Sequence, residues 1–525
     1  MVSGWWSVTN TSVLRLIFLS LVANDTGHSL LVMDANGLPK DKRRAQAELG
    51  RAHERCLLFV GNSHRQVDIS PRRGPIYGMP GVVVETSSAS LKRAVGRWGL
   101  AALMLNTMIG ASIFGLPSLI AARLGRLSPM AYVIGAAIAA VVAACLSEVA
   151  SQFSATGGPY LYARAALGRF VAIQIGWLTW LTRIAAASAV VNLFVSYLGE
   201  FLPAVRLPLV RAGVLTLVIG FLAIVNYRGV ASGSIVSNFF TSAKLLMLLI
   251  FIGAGLAALI LHPEIRVSPE AVPASTANWL DAIVLMILAF GGFEAALFLA
   301  GEARDPRKDA PGALLIAIAC AAAVYIAVQY VVIYTLPSAG TSTTPAVDAA
   351  RRFLGPWGVS LVALGTLVSS YGSVSANMLH TPRLTFAMGE QGDFPRVFAA
   401  IHPRYRTPYF SIVAFAVLFL LFSIGGDFRW NATLAAISRL FLYGAIAVAL
   451  PRLRRLRPQA SRFRLPAAPL FVGLALASTI ILVTRIHWAT LTILGITFSV
   501  GLANWLWVRR VTAAPETFSE LPCED

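Results

Sequence analysis

The chain has 525 residues, 57% of them hydrophobic and only 13% charged, and its mean hydropathy is +0.71. An average soluble domain carries about 25% charged residues, so a disordered chain and an ordinary soluble enzyme are both excluded. The net charge of +19 would suggest nucleic acid on a soluble protein. Here the excess lies mostly in short loops between apolar runs, so it reads as membrane topology and no nucleic-acid partner is expected.

Residues 1–92 differ from everything downstream, being polar and mixed in charge. Their one apolar patch, Val13–Ala23, is interrupted by Arg15 and too short to span a bilayer. No helix or strand period persists through 24–78. We read 1–92 as a poorly ordered cytoplasmic extension. One version of that reading places the functional start near Met79, and N-terminal sequencing that finds Met1 on the native protein would exclude it.

A bilayer core of roughly 30 Å needs about 20 apolar residues per helix. Twelve such stretches follow, at 98–122, 128–149, 170–201, 209–226, 236–261, 280–301, 311–336, 357–386, 409–425, 432–450, 468–485 and 488–508. The expected fold is an all-α polytopic membrane protein whose partner is the lipid bilayer. With the segment before the first span cytoplasmic, cytoplasmic Lys/Arg outnumber those on the opposite side by more than two to one. Both termini, including the tail 511–525, are then cytoplasmic. Cys145 and Cys320 fall in apolar spans and read as small core residues.

Two spans contain helix breakers. The first holds Asn106-Thr107-Met108-Ile109-Gly110-Ala111-Ser112-Ile113-Phe114-Gly115-Leu116-Pro117, and the sixth holds Ala289-Phe290-Gly291-Gly292-Phe293-Glu294. Small residues also serve close helix packing. Breaks at corresponding places in two halves of a chain point instead to an inverted-repeat transporter with its site between them. Half-helix N-termini suit a carboxylate, and freed carbonyls suit an ammonium or a cation.

Four motifs in order resemble the amino acid–polyamine–organocation superfamily of amino-acid permeases, over roughly 93–510. They are Ile109–Phe114; Glu148 with Phe153–Tyr162; Phe290–Glu294 with Gly301–Lys308; and Pro382-Arg383 through Gly392–Pro395 and Arg406-Thr407-Pro408. The resemblance implies a five-plus-five inverted repeat, 93–262 and 263–451, with two further helices in 452–510. It implies secondary active, ATP-independent amino-acid transport by alternating access, in a membrane we take to be the bacterial inner membrane. The site it implies comprises Thr107, Met108, Gly110, Ala111, Ser112, Ala289, Phe290, Gly291 and Gly292. The substrate carboxylate would meet N–H groups around Gly110–Ser112 and its amine the carbonyls around Ala289–Gly291, with Phe290 as a lid. Ser112 stands where the family usually has a glycine.

Three cations lie within spans, Arg183, Lys244 and Arg439, and such charges need a partner, a water-filled cavity or a function. Lys244 reads as a proton-exchanging group, a structural tether or a snorkelling side chain. The resemblance sets its amine where sodium-coupled relatives bind an ion, which implies proton coupling and no other cofactor. Glu294 reads equally as a gating group or as a carboxylate satisfied by unwound backbone. Arg439 and Tyr443 share one helix face, and Arg439 is expected to plug the path by pairing with a carboxylate. Arg183 reads as stacked or carbonyl-satisfied. No phosphate-binding loop and no zinc spacing is present in the sequence, so no enzyme and no metal site is expected. Three other readings remain: an exchanger, a polyamine or cationic-substrate carrier, and a non-transporting nutrient sensor on the same scaffold.

Overall fold

A computed structural model describes residues 97–153, 158–229, 234–273, 275–293, 306–456, 458 and 463–513. The extension 1–92, Glu294 and the tail beyond 513 lie outside these residues. All regular elements among the described residues are helices. Eight helical stretches are long and apolar enough to cross a membrane, and three more apolar helices, Thr276–Ala289, Tyr409–Gly425 and Ala468–Val483, are shorter.

In chain order, α1 (Arg97–Met108) and α2 (Leu116–Leu124) replace the first expected span, with a 3-10 turn Ala111–Phe114 between them. Gly110 is extended, at φ −86° and ψ −172°, so the helix is interrupted where the glycines and Pro117 predicted it. Next come α3 (Ser128–Ala150), α4 (Gly158–Leu167), α5 (Arg169–Leu198), α6 (Pro208–Tyr227) and α7 (Ser234–Leu261). The short α4 was not expected. The sixth span begins as α8 (Thr276–Ala289) and breaks at Phe290–Gly292. Gly292 sits at φ +108°, a conformation that side-chain-bearing residues rarely adopt.

The second half continues with α9 (Pro306–Thr335) and α10 (Pro345–Glu390). The latter is two helices joined at Gly355, where φ is +64°. Its first part, 345–354, precedes the expected span 357–386 and packs inward through Ala346, Val347, Ala349 and Ala350, all essentially unexposed. The chain ends with α11 (Tyr409–Gly425), α12 (Phe428–Leu456), α13 (Ala468–Val483) and α14 (Trp488–Ala513).

Packing follows the distribution of small and large residues. Among the eight long apolar stretches α5 and α12 are the most enclosed; they pack on each other, and α12 also contacts α8, α13 and α4. α9 lies against α1 and α3, and α10 against α5 and α7. α6 and α14 present large apolar side chains outward, such as Leu209, Leu217, Trp488 and Ile496. Such faces would be unstable in water and suit lipid, where helices satisfy their own backbone groups. Cys145 is buried as expected, but Cys320 faces outward on α9, because the inner face of that helix is taken by Tyr325 and Gln329.

Candidate substrate site

The interruption after α1 releases backbone carbonyls that the helix would otherwise have paired. Leu105 O still accepts the Ile109 N–H at 2.8 Å. Three more, those of Asn106, Met108 and Ile109, are met by distant side chains. Lys244 Nζ, on α7, donates to Asn106 O at 3.2 Å, Asn106 Oδ1 at 2.9 Å and Ile109 O at 2.6 Å. Lys244 is only 7% exposed, so it does not snorkel; it tethers the end of α1. Met108 O accepts the Gly110 N–H at 2.7 Å and lies 2.8 Å from the Tyr325 hydroxyl of α9.

The end of α8 is completed in the same way. Met286 O accepts the Phe290 N–H, and Leu288 O accepts the Gly291 N–H. Ile287 O faces Arg439 of α12 at 3.4 Å. Ala289 O lies 2.9 Å from the same Tyr325 hydroxyl. A cation thus stands at each half-helix C-terminus, where the helix dipole is negative, and one tyrosine joins the two.

Glycine is required at 291 by this arrangement. A Cβ there would overlap the Arg439 guanidinium. The shared face expected of Arg439 and Tyr443 is present, since Tyr443 stacks on Phe293 with centroids 5.7 Å apart. Arg439 lies against the break itself, and Glu294 is outside the described residues. Phe290 is buried and meets the Tyr325 ring edge-on at 5.3 Å. Ser112 is buried too.

The N-terminal end of the second segment of the first span is held differently. The 3-10 turn Ala111–Phe114 starts at Gly110 with no side-chain cap, so its first N–H groups have no intrahelical acceptor. Tyr197 of α5 donates to Phe114 O at 2.7 Å. Gln329 of α9 donates to Pro117 O at 3.2 Å and to Ser128 Oγ at 2.8 Å, and accepts from the Tyr132 hydroxyl.

Of the residues expected at the site, Met108, Gly110, Ser112, Ala289, Phe290, Gly291, Gly292, Lys244 and Arg439 all lie at or against the two breaks. Thr107 is the last residue but one of α1 and Ala111 opens the 3-10 turn, with their side chains outside the described residues. Sequence reasoning missed Asn106 as a partner, and missed Tyr325 and Gln329 altogether. Two polar side chains four apart in the apolar run 311–336 were the available signal.

Ion pairs close the structure at the ends of the helices. On the face where α1 begins, buried Glu148 of α3 accepts two bonds from Arg454, at 2.6 and 2.7 Å, and one from Leu465 N–H at 2.8 Å. On the same face Asp393, wholly buried after α10, accepts from Arg169 at 2.6 Å and from the Tyr160 hydroxyl. On the opposite face Glu200 accepts from Arg351 at 2.6 Å and from Thr344 Oγ1 at 3.2 Å. A separate cleft of about 610 Å³ opens there, walled by Asn192, Ser196, Arg211, Asp427 and Trp430, and no predicted site residue lines it.

Comparison with known proteins gives a coherent match. A family model described as amino acid permease matches residues 95–514. The chain is 26% identical over 448 residues to the branched-chain amino acid permease BcaP of Bacillus subtilis, covering 82% of this chain and 96% of that protein. It is 26% identical over 404 residues to the methylthioribose transporter of the same organism, covering 73% and 86%. It is 26% identical over 441 residues to the serine/threonine exchanger SteT of that organism, covering 80% and 97%.

Proposed function

This chain belongs to the amino acid permease family and is an integral membrane protein, and on that premise we propose that it moves amino acids by proton-driven alternating access. The observation that carries the reading is the pair of interrupted helices whose ends meet at Tyr325. A zwitterion fits such a place. Its carboxylate meets the uncapped N–H groups of Ala111 and Ser112, and its ammonium meets the carbonyl end of α8 around Ala289. Two of the relatives carry amino-acid names, which supports that substrate class.

Proton coupling is supported by what Lys244 does. Its ammonium holds three oxygens of the first break, a set that would otherwise suit a bound metal cation. A cation fixed by the chain removes the need for sodium, and loss of its proton frees the end of α1. The inverted repeat, 93–262 and 263–451, is supported by the matching cations: Lys244 is on the fifth span and serves the first, and Arg439 is on the tenth and serves the sixth. The Lys/Arg distribution supports cytoplasmic termini; the membrane itself is taken to be a bacterial inner membrane, which that distribution does not name.

The test is uptake into proteoliposomes of labelled leucine, serine, arginine and a polyamine, each with an inward proton gradient, an inward sodium gradient or neither. Accumulation driven by protons alone is the expected result. Movement only against preloaded substrate identifies an exchanger. Binding without movement identifies a sensor.

A further inference from the structure

Tyr325 has one hydroxyl proton and two carbonyl oxygens within hydrogen-bond distance, Met108 O at 2.8 Å and Ala289 O at 2.9 Å. It can donate to one of them at a time. The two acceptors are not equivalent. Met108 O already accepts the Gly110 N–H at 2.7 Å, whereas no other hydrogen bond to Ala289 O is found among the described residues. A buried carbonyl left without a donor is costly, so the proton belongs on Ala289 O.

The ring cannot follow the proton. Tyr325 is 1% exposed, packed between Phe290 at 5.3 Å and Tyr132 at 5.9 Å. Only the O–H torsion is free to turn, and turning it moves the donor from one break to the other.

We propose that Tyr325 is a positioning residue that reports ligand at the break of the sixth span to the break of the first. This rests on the transport reading, in which a ligand ammonium donates to Ala289 O. That ammonium replaces the hydroxyl as donor, and the hydroxyl turns to Met108 O. No covalent bond changes; one hydrogen bond is exchanged for two. Met108 is the last residue of α1, so the added bond fixes the half-helix end that Lys244 also holds. The arrangement selects ligands that bring a donor. A ligand with only acceptors leaves the proton where it is.

The experiment uses the full chain in lipid nanodiscs with leucine, serine and arginine as probes. Direct binding, backbone hydrogen exchange of the peptide covering 105–115, and proteoliposome turnover are measured for wild type and Tyr325→Phe. In wild type, a bound probe slows exchange at 105–115 by about threefold or more. In Tyr325→Phe, binding stays within about threefold of wild type, the exchange change disappears, and turnover falls about tenfold. Wild type that binds a probe with no change at 105–115 overturns the proposal, and that result does not depend on the variant folding. So does a Tyr325→Phe protein that loses thermal stability, binding and turnover together, because that is a structural prop. Wild type that binds none of the probes overturns the transport reading itself, and the proposal with it.

Discussion

Lys244 and Arg439 occupy corresponding places, each at the carbonyl end of one interrupted helix: Lys244 Nζ is 2.6 Å from Ile109 O, and Arg439 Nη1 is 3.4 Å from Ile287 O. The physical reason is common to both. A helix cut short leaves unpaired carbonyls and the negative end of its dipole, and a cation there contributes up to about 2 kcal/mol in partly buried geometry. A buried cation without such partners would cost far more than it gained.

Replacing Lys244 with Met keeps the size of the side chain and removes every donor. Asn106 O and Ile109 O then lose their partners, and removal of the ammonium also removes its own desolvation cost, so a net loss of about 1–3 kcal/mol is expected. The sharper expectation is functional: residual uptake no longer responds to an inward proton gradient. Uptake by Lys244→Met compared at matched and opposed pH measures it, and a preserved pH response removes Lys244 from coupling.

The two glycines of the second break should fail for different reasons. A methyl at Gly291 overlaps the Arg439 guanidinium, an overpacking cost of about 1–3 kcal/mol. Trimming the fork with Arg439→Lys should restore part of the stability of Gly291→Ala. At Gly292 the cost lies in the backbone, since φ is +108°, and is again about 1–3 kcal/mol. Arg439→Lys should not rescue Gly292→Ala. Thermal unfolding of the four variants separates the mechanisms.

Glu148 and Arg454 are 306 positions apart and form a two-point pair, with the Glu148 carboxylate also accepting the Leu465 N–H. Breaking a buried pair costs about 3–5 kcal/mol, with the lower end apt here because the Arg454 side chain is 32% exposed. Glu148→Ala should therefore lower stability more than Glu148→Gln, which keeps one acceptor. A double-mutant cycle with Arg454→Ala in thermal unfolding should give a coupling energy above about 1 kcal/mol.

Asp393 joins α4, α5 and α14: it takes bonds from Tyr160 and Arg169 through its carboxylate and from Asn504 through its carbonyl, at 2.7 Å. Burial first, then the hydrogen bond to Asp393, raises the Tyr160 pKa, so the phenol stays a donor at every physiological pH. Because the folded value lies above the unfolded one, this contribution is constant below about pH 10 and is lost as pH rises beyond it. Tyr160→Phe should lose stability at pH 7 and show a smaller further loss between pH 9 and 11 than wild type. An unaltered pH profile in thermal unfolding would remove Tyr160 from the linkage.

The sequence by itself determined the class, the approximate spans and the two breaks, because these depend on local properties. Apolar run length is set by bilayer thickness, and clustered helix-weakening residues, Gly110 with Gly115 and Pro117 and the pair Gly291-Gly292, mark a break where single glycines such as Gly135 and Gly176 continue a helix. It also marked Lys244 and Arg439, since a charge in an apolar run needs an explanation. Tertiary structure alone decided what answers each break. Tyr325 serves carbonyls 217 and 36 positions away, and Lys244 reaches back 135 to Ile109. Periodicity reports which face of one helix a residue occupies, but not which helix faces it. The unexpected elements have the same origin. Helix 345–354 is held by burial of four small residues under the bundle, and α4 by the Tyr160 and Arg164 contacts to the loop after α10. Neither signal exists until the chain has folded, because a carbonyl released by a glycine becomes a binding feature only when packing has fixed its donor.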